Sequence, residues 1–327
     1  IGAARIAPNG LIKPARVVDG VEVRAVAARD ISRARQFAHK HDVSLAFDSY
    51  EQLISDRSID AIYVALPNSH HADWSIRSLQ GGKHVLCEKP LAANAEQARR
   101  VEEVALDSGL LFAEAFHNLY HPLVLQMREI VRSGQLGDIQ QVKGAFNTII
   151  RRRHDIRFSY ELAGGALIDL GCYLVSLTRF LFDAGTSAAA EPQGVNARAK
   201  SMAQYVDSEI RAQLRLERAE GMSIPIDLEC AMRRWQPPRV TYAIIGTEGE
   251  LRVINPILPQ LWHRMTLRRN GETQVITAPR VSTYECQLRA WLGALRSGAP
   301  LPTDATQGVR NMELIDAIYR TAGLPVR

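Results

Sequence analysis

A short apolar run ends in Cys87-Glu88-Lys89-Pro90, and further along the chain reads Gly164-Gly165-Ala166-Leu167-Ile168-Asp169-Leu170-Gly171-Cys172-Tyr173. Between them these segments hold an ammonium, a carboxylate and a phenol, the groups needed to carry a proton to or from an oxygen with a cation steering it. Asp169 and Tyr173 stand four residues apart, so on a helix both side chains would share one face. Taken singly, a lysine is usually solvated and a tyrosine is usually part of a core. Their occurrence together is what points to a site.

Such groups need a rigid frame. Up to residue 117 short β-branched runs alternate with amphipathic stretches: 21–28, 61–66, 84–87 and 110–113 read as strands, and 31–41, 72–80 and 95–107 as helices. Strand and helix in alternation imply right-handed crossovers and a doubly wound parallel sheet with helices on both faces. From residue 118 the style changes. After a helix near 123–132, consecutive strands are expected at 142–150, 198–202, 208–216, 226–232, 240–245, 250–254 and 265–267, with turn residues such as Gly246-Thr247-Glu248-Gly249 between them. A helix over 167–182 interrupts them, and two more near 284–296 and 306–321 close the chain. The fold class is therefore α/β. A Rossmann domain over 1–117 precedes an α/β domain over 118–327 built on one large, mainly antiparallel open sheet.

With 327 residues, 46% hydrophobic and 23% charged, the chain has material for two well-buried cores and none to spare for a long disordered tail. No apolar run approaches the roughly 20 residues of a membrane helix, and no leader pattern opens the sequence, so a cytoplasmic protein is expected. The four cysteines are scattered without C-x-x-C spacing, which suggests neither a disulfide framework nor a metal site. A formal charge of +5 is spread along the chain, and only Arg151-Arg152-Arg153 forms a tight basic cluster. That cluster reads as a solvated loop or an anionic-ligand contact rather than a nucleic-acid footprint.

Gly2-Ala3-Ala4-Arg5-Ile6-Ala7 matches a glycine-rich dinucleotide fingerprint with alanine in its second and third glycine positions, although an ordinary turn between apolar stretches reads the same way. At the end of the second strand an NAD site places Asp or Glu on the ribose hydroxyls; here Ala27-Ala28 lead into Arg29, with Arg33 on the next helix. A cation there suits a 2′-phosphate, so NADP is expected over NAD. The plainer alternative makes Arg29 a solvated strand end and Asp30 an N-cap. Only Ile1 stands ahead of Gly2, and the central strand of a doubly wound sheet is expected from residues preceding this sequence.

The ordered set Ala28-Arg29-Asp30, Leu66-Pro67-Asn68-Ser69-His70-His71, Gly82 to Leu91, Glu114-Ala115-Phe116 and Gly164 to Tyr173 resembles the glucose-fructose oxidoreductase, inositol dehydrogenase and rhizopine catabolism family, Gfo/Idh/MocA, nearly end to end. The resemblance implies an NADP-dependent oxidoreductase acting on a sugar-like polyol or ketone. It assigns Lys89 to nicotinamide ribose and substrate, Tyr173 to proton transfer and Asp169 to its support, with Pro90 often cis. It also places Leu66, Pro67, Asn68, His71, Glu88 and Arg157 around the cofactor, and makes the open sheet face a homo-oligomer interface, dimeric or tetrameric. His70 and His71 read equally as the opening of a helix, Arg157 as a surface ion pair, and Cys87 and Cys172 as packing residues. Many members place Arg three residues after the Phe of Glu-Ala-Phe, where this chain has Leu119. That segment and Asp155-Ile156-Arg157-Phe158 are similar to nucleotide-sugar 3-ketoreductases, whereas Ala27-Ala28-Arg29-Asp30 is similar to dihydrodiol dehydrogenases. A cofactor-binding redox sensor or scaffold without turnover is the alternative of another class; it has no need of a proton carrier.

Overall fold

The structure, a computed structural model, describes residues 1–150, 155–182, 192–217, 223–233 and 237–327. Arg151-Arg152-Arg153 lies outside the described residues. The chain forms two compact units, one of Ile1–Phe116 with Tyr284–Met312, the other of His117–Thr283 with Glu313–Arg327.

In the first unit β1 (Ala25–Ala27) pairs in parallel with β2 (Leu45–Phe47), and β3 (Ala61–Val64), β4 (His84–Cys87) and β5 (Phe112–Glu114) form a second parallel set. Ile1 and Gly2 stand between the two sets: Ile1 N donates to Tyr63 O at 2.7 Å, Ala65 N to Ile1 O at 3.0 Å, and Gly2 N to Ala27 O at 3.0 Å. The strand expected over 21–28 is shorter because its ladder with β2 begins only where Leu45 N reaches Arg24 O. Helix Ile31–His41 starts where Asp30 accepts from Ser32 N and stops at Asp42 in the left-handed region. Helix Ala95–Ser108 is capped by Asn94, whose side chain accepts from Gln97 N, and buries Ala98, Val101 and Ala105 along one stripe.

The segment Tyr284–Met312, expected with the later domain, packs with this first unit. Leu288 and Leu292 cover Val18, the Trp291 ring meets His84 edge-on at 6.5 Å, and Thr303 O accepts from Glu114 N at 2.7 Å.

The second unit carries one eight-stranded sheet of β6 (Ile139–Ile149), β7 (Pro192–Ala203), β8 (Val206–Glu217), β9 (Ser223–Arg233), β10 (Arg239–Gly246), β11 (Gly249–Ile254), β12 (Arg264–Arg269) and β13 (Glu272–Ile276). Its order is β13-β12-β11-β10-β6-β9-β8-β7, antiparallel throughout except for the parallel pair β6 and β9. Along β8, buried Ile210, Ala212, Leu214 and Leu216 alternate with exposed Arg211, Gln213, Arg215 and Glu217, so one face is covered and the other is polar. β13 was not among the expected strands: its residues are mostly exposed, and pairing with β12 through the two-residue turn Asn270-Gly271 forms it.

The helix expected over 167–182 opens with a π turn, Leu167–Gly171, before the α-helix Cys172–Phe182. That α-helix is buried on every side and packs against helix Pro122–Arg132 and β6. Ahead of the π turn, a Cβ on Gly165 (φ +143°) would run into Asp207 Oδ1, so only glycine lets the chain pass there. No described helix is long and apolar enough to cross a membrane.

Candidate active site

Residues 2–7, Arg29 and Arg33, expected as a dinucleotide site, lie in the first unit. Residues 2–7 wind through a tight turn into the π turn Pro8–Ile12, with Ile6 O accepting from Gly10 N at 2.8 Å. Arg33 reaches back from helix Ile31–His41 and donates to Ala3 O at 3.1 Å. A cavity of about 600 Å³ beside this turn is lined by Ala3, Arg5, Lys13, Arg16, Arg33 and Lys40, and its lining includes no carboxylate. Such a donor set fits phosphate oxygens. Burial raises the pKa of the Tyr50 phenol, and the charges of Arg29 and Arg33 oppose it. Asp30 is taken up as the N-cap: its carboxylate accepts from Ser32 N at 2.8 Å and Oγ at 2.6 Å, which holds its pKa below the usual range.

At the far ends of β3 and β4 two loops are tied together. Leu66-Pro67 lead into the turn Asn68–His70, and His71 opens the helix His71–Gln80. The imidazole, 1% exposed, places Nδ1 2.6 Å from Pro90 O and Nε2 2.9 Å from Leu66 O, bridging the loop after β3 to the loop after β4. Burial lowers its pKa to about 4, so the neutral ring carries one N–H for two carbonyls. In the unfolded chain the group titrates near 6.5. Between the two values the unfolded state binds the extra proton, and stability present above pH 6.5 is lost as pH falls toward 4, by about 3 kcal/mol. Denaturation midpoints at neutral and mildly acidic pH should therefore converge in His71→Gln relative to the wild type; an equal acid loss in both would remove His71 as the source.

The Glu88 carboxylate accepts from Tyr63 Oη, and the Lys89–Pro90 peptide is cis. Leu91 N donates to Glu114 Oε1 at 2.8 Å, while Ala115 N donates to Cys87 O at 2.7 Å. Lys89 thus rides on a turn fixed from both sides. Glu114, whose motif the sequence displayed without a stated role, holds the stretch just after Pro90. Cys87 is fully buried and its thiol is pushed well up by that burial, as befits a packing residue.

Asp169 and Tyr173 lie in the second unit. Asp169 sits in the π turn, and its Oδ2 accepts from Arg157 Nε at 2.6 Å. Arg157 NH1 also reaches Asp155 Oδ1 at 3.0 Å; burial disfavours the guanidinium's charge, but the Asp169 and Asp155 carboxylates outweigh it and raise its pKa. The structure therefore joins Arg157 to Asp169. Tyr173 is 7% exposed, and its ring contacts those of Phe146, at 5.8 Å, and His117, at 5.7 Å. His117 Nε2 lies 3.2 Å from the phenol oxygen. The sequence reading passed over His117, although it stands directly after Phe116; nothing local marks it, because its partner is 56 residues away.

The turn that carries Asp169 is anchored from below. Leu167 N donates to Asp207 Oδ2 at 2.7 Å, and Asp207 Oδ1 accepts from Tyr319 Oη at 2.9 Å and Arg327 NH2 at 2.8 Å. Both side chains of the Asp207–Arg327 pair are 0% exposed.

Residues 1–116 match the model of an oxidoreductase family with an NAD-binding Rossmann fold, and residues 124–252 match the GFO/IDH/MocA C-terminal domain. D-xylose 1-dehydrogenase (NADP(+)) 2 of Haloferax volcanii is 31% identical over 98% of this chain and 96% of its own length. The chain belongs to the Gfo/Idh/MocA family. dTDP-3,4-didehydro-2,6-dideoxy-alpha-D-glucose 3-reductase of Streptomyces violaceoruber is 29% identical over 99% of this chain and 94% of its own length. The solved structure of KijD10, a 3-ketoreductase from Actinomadura kijaniata in complex with NADP and TDP-benzene, superposes with a TM-score of 0.84 at 27% identity, covering 98% of this chain and 95% of that one. As a Gfo/Idh/MocA member the protein is an oxidoreductase with a Rossmann unit followed by a mostly antiparallel sheet.

Proposed function

We propose that this protein is an NADP(H)-dependent oxidoreductase that interconverts a ketone and a secondary alcohol on a sugar-like compound. The observation that carries the reading is the buried Tyr173 phenol, packed against the rings of His117 and Phe146, with Asp169, bound by Arg157, on the turn just before its helix. A bound nicotinamide supplies or accepts the hydride. Tyr173 gives its hydroxyl proton to the oxygen of the reduced carbonyl, or takes one from the alcohol. A free phenol has a pKa near 10 and is a poor base at neutral pH; a neighbouring ammonium favours the phenolate, which is the part proposed for Lys89 alongside contact with the nicotinamide ribose. Asp169, held by Arg157, accepts from a substrate hydroxyl. Arg5, Arg29 and Arg33 hold the adenosine phosphates, and Gly2, Ala3, Ile6, Leu66, Pro67, Asn68, His71 and Glu88 shape the loops on which the dinucleotide lies.

The cation at the end of β1 and the capped Asp30 support NADP over NAD. In Arg29→Ala/Arg33→Ala, affinity for NADPH should fall about tenfold or more while affinity for NADH stays within twofold, because each charge-assisted hydrogen bond to a phosphate contributes roughly 1.5–3 kcal/mol. Isothermal titration with both cofactors measures this, and equal losses would place the 2′-phosphate elsewhere.

A nucleotide-linked keto-sugar is the first substrate to try, since a dTDP-sugar reductase and KijD10 are among the chain's relatives. A second copy of this chain is the partner proposed for the polar outer face of the eight-stranded sheet, where a groove of about 990 Å³ runs past Lys143, Arg211, Asp227, Glu229, Arg239 and Arg252. The deciding experiment compares the thermal shift given by NADPH and NADH and then follows NADPH oxidation with keto-sugars, nucleotide keto-sugars and diketones. Cofactor binding with no turnover across that panel would favour the redox-sensing alternative; no binding of either cofactor would overturn the reading.

A further inference from the structure

We propose that His117 is a positioning residue for Tyr173, donating from Nε2–H to the phenol oxygen so that the hydroxyl proton stays available for transfer. The inference rests on the proposed role of Tyr173 as proton carrier. Its ground is geometric. His117 opens the turn His117–Tyr120, is 2% exposed, and puts Nε2 3.2 Å from Tyr173 Oη with the rings edge to face at 63°. That distance is within the range of an N–H···O hydrogen bond. The Phe146 ring also packs on the phenol, at 5.8 Å between centroids, and His117 meets both the ring, edge-on, and its hydroxyl.

The two tautomers of a neutral imidazole have opposite consequences. With its proton on Nδ1, Nε2 is an acceptor and would hold the Tyr173 hydroxyl hydrogen for itself. With its proton on Nε2, His117 donates to a lone pair of the phenol oxygen, and the hydroxyl hydrogen turns outward to the substrate. When that hydrogen passes to the substrate oxygen, the oxygen–hydrogen bond of Tyr173 breaks, one forms on the product alcohol, and the phenolate left behind keeps the Nε2–H bond. His117 neither gains nor loses a proton; the phenol is restored from solvent after product leaves. A hydrogen bond to a charged oxygen is stronger than one to a neutral oxygen, so the contact stabilises the phenolate more than the phenol and speeds the transfer.

The same segment explains why this residue takes the part. Leu119, where many family members carry Arg, is 1% exposed and packed in the interior, so the turn addresses the phenol through His117. Asp169, the carboxylate four residues before Tyr173, is engaged by Arg157 at 2.6 Å.

Amide variants test the claim, because a glutamine nitrogen takes the place of Nε2 and an asparagine nitrogen that of Nδ1. With the carbonyl substrate that the wild type reduces best, His117→Gln should keep kcat within about threefold, whereas His117→Asn should lose about 10- to 100-fold in kcat with KM and NADPH affinity within twofold. The solvent deuterium isotope effect on kcat should rise in His117→Asn as proton transfer becomes slower. Both variants keep a buried polar group, and their melting temperatures are measured alongside. Equal kcat in the two variants, a loss confined to KM, or rescue by Asn and not Gln would overturn the proposal. Tyr173→Phe is the control. If it turns over as fast as the wild type, the proton-carrier reading has failed; if it is slow while both His117 variants match the wild type, only the role of His117 has.

Discussion

Tyr173→Phe should bind NADPH as the wild type does and reduce its ketone about a hundred- to ten-thousand-fold more slowly, the range that a well-placed general acid contributes. The substitution removes one oxygen and leaves the ring, so the packing against Phe146 and His117 survives. The developing alkoxide then loses the proton that the phenol would give it, while the carbonyl carbon remains open to hydride. Calorimetric titration with NADPH and single-turnover oxidation of the bound cofactor separate the two steps. Turnover at the wild-type rate would remove Tyr173 from the chemistry; loss of cofactor binding together with turnover would mean that the phenol supports structure instead.

Asp207→Ala should destabilise the second unit by about 3–5 kcal/mol, the cost of leaving a buried charge without its partner. The carboxylate, 0% exposed, takes hydrogen bonds from Leu167 N, Tyr319 Oη and Arg327 NH2. Burial pushes its pKa up, and the Leu167 N–H and the Arg327 guanidinium pull it back. Without it a guanidinium that is itself 0% exposed faces a cavity, and the π turn carrying Asp169 loses its anchor at Leu167. The expected result is a lower denaturant midpoint and, in the fraction still folded, a raised KM for substrate. Asp207→Asn, which keeps the volume and one acceptor, should lose less. A change below about 1 kcal/mol in the alanine variant would contradict the burial of the pair.

Much of the frame was legible in one dimension. The alternation of short apolar runs and amphipathic stretches located four of the five parallel strands described in the first unit and missed β2, and helix Ile31–His41 and strand His84–Cys87 begin and end where their flanking residues say. These signals are local: a period of two or of 3.6, an N-cap, a turn residue. β13 shows the limit of that reading. Its run Glu-Thr-Gln-Val-Ile has little apolar alternation, and pairing with β12 makes it a strand; the Asn270-Gly271 turn was the only local notice of it.

The motifs likewise carried the family, and with it the proposal of Lys89, Asp169 and Tyr173 for the chemistry, because residue types at fixed spacing survive in a linear text. Which groups those residues meet did not. His117 lies 56 residues from Tyr173, Arg327 lies 120 from Asp207, and Tyr284–Met312 returns to the first unit after the whole of the large sheet. No propensity or period links such pairs. They are decided when burial forces each enclosed polar group to find a partner among whatever the packed chain brings within reach, and that choice exists only in three dimensions.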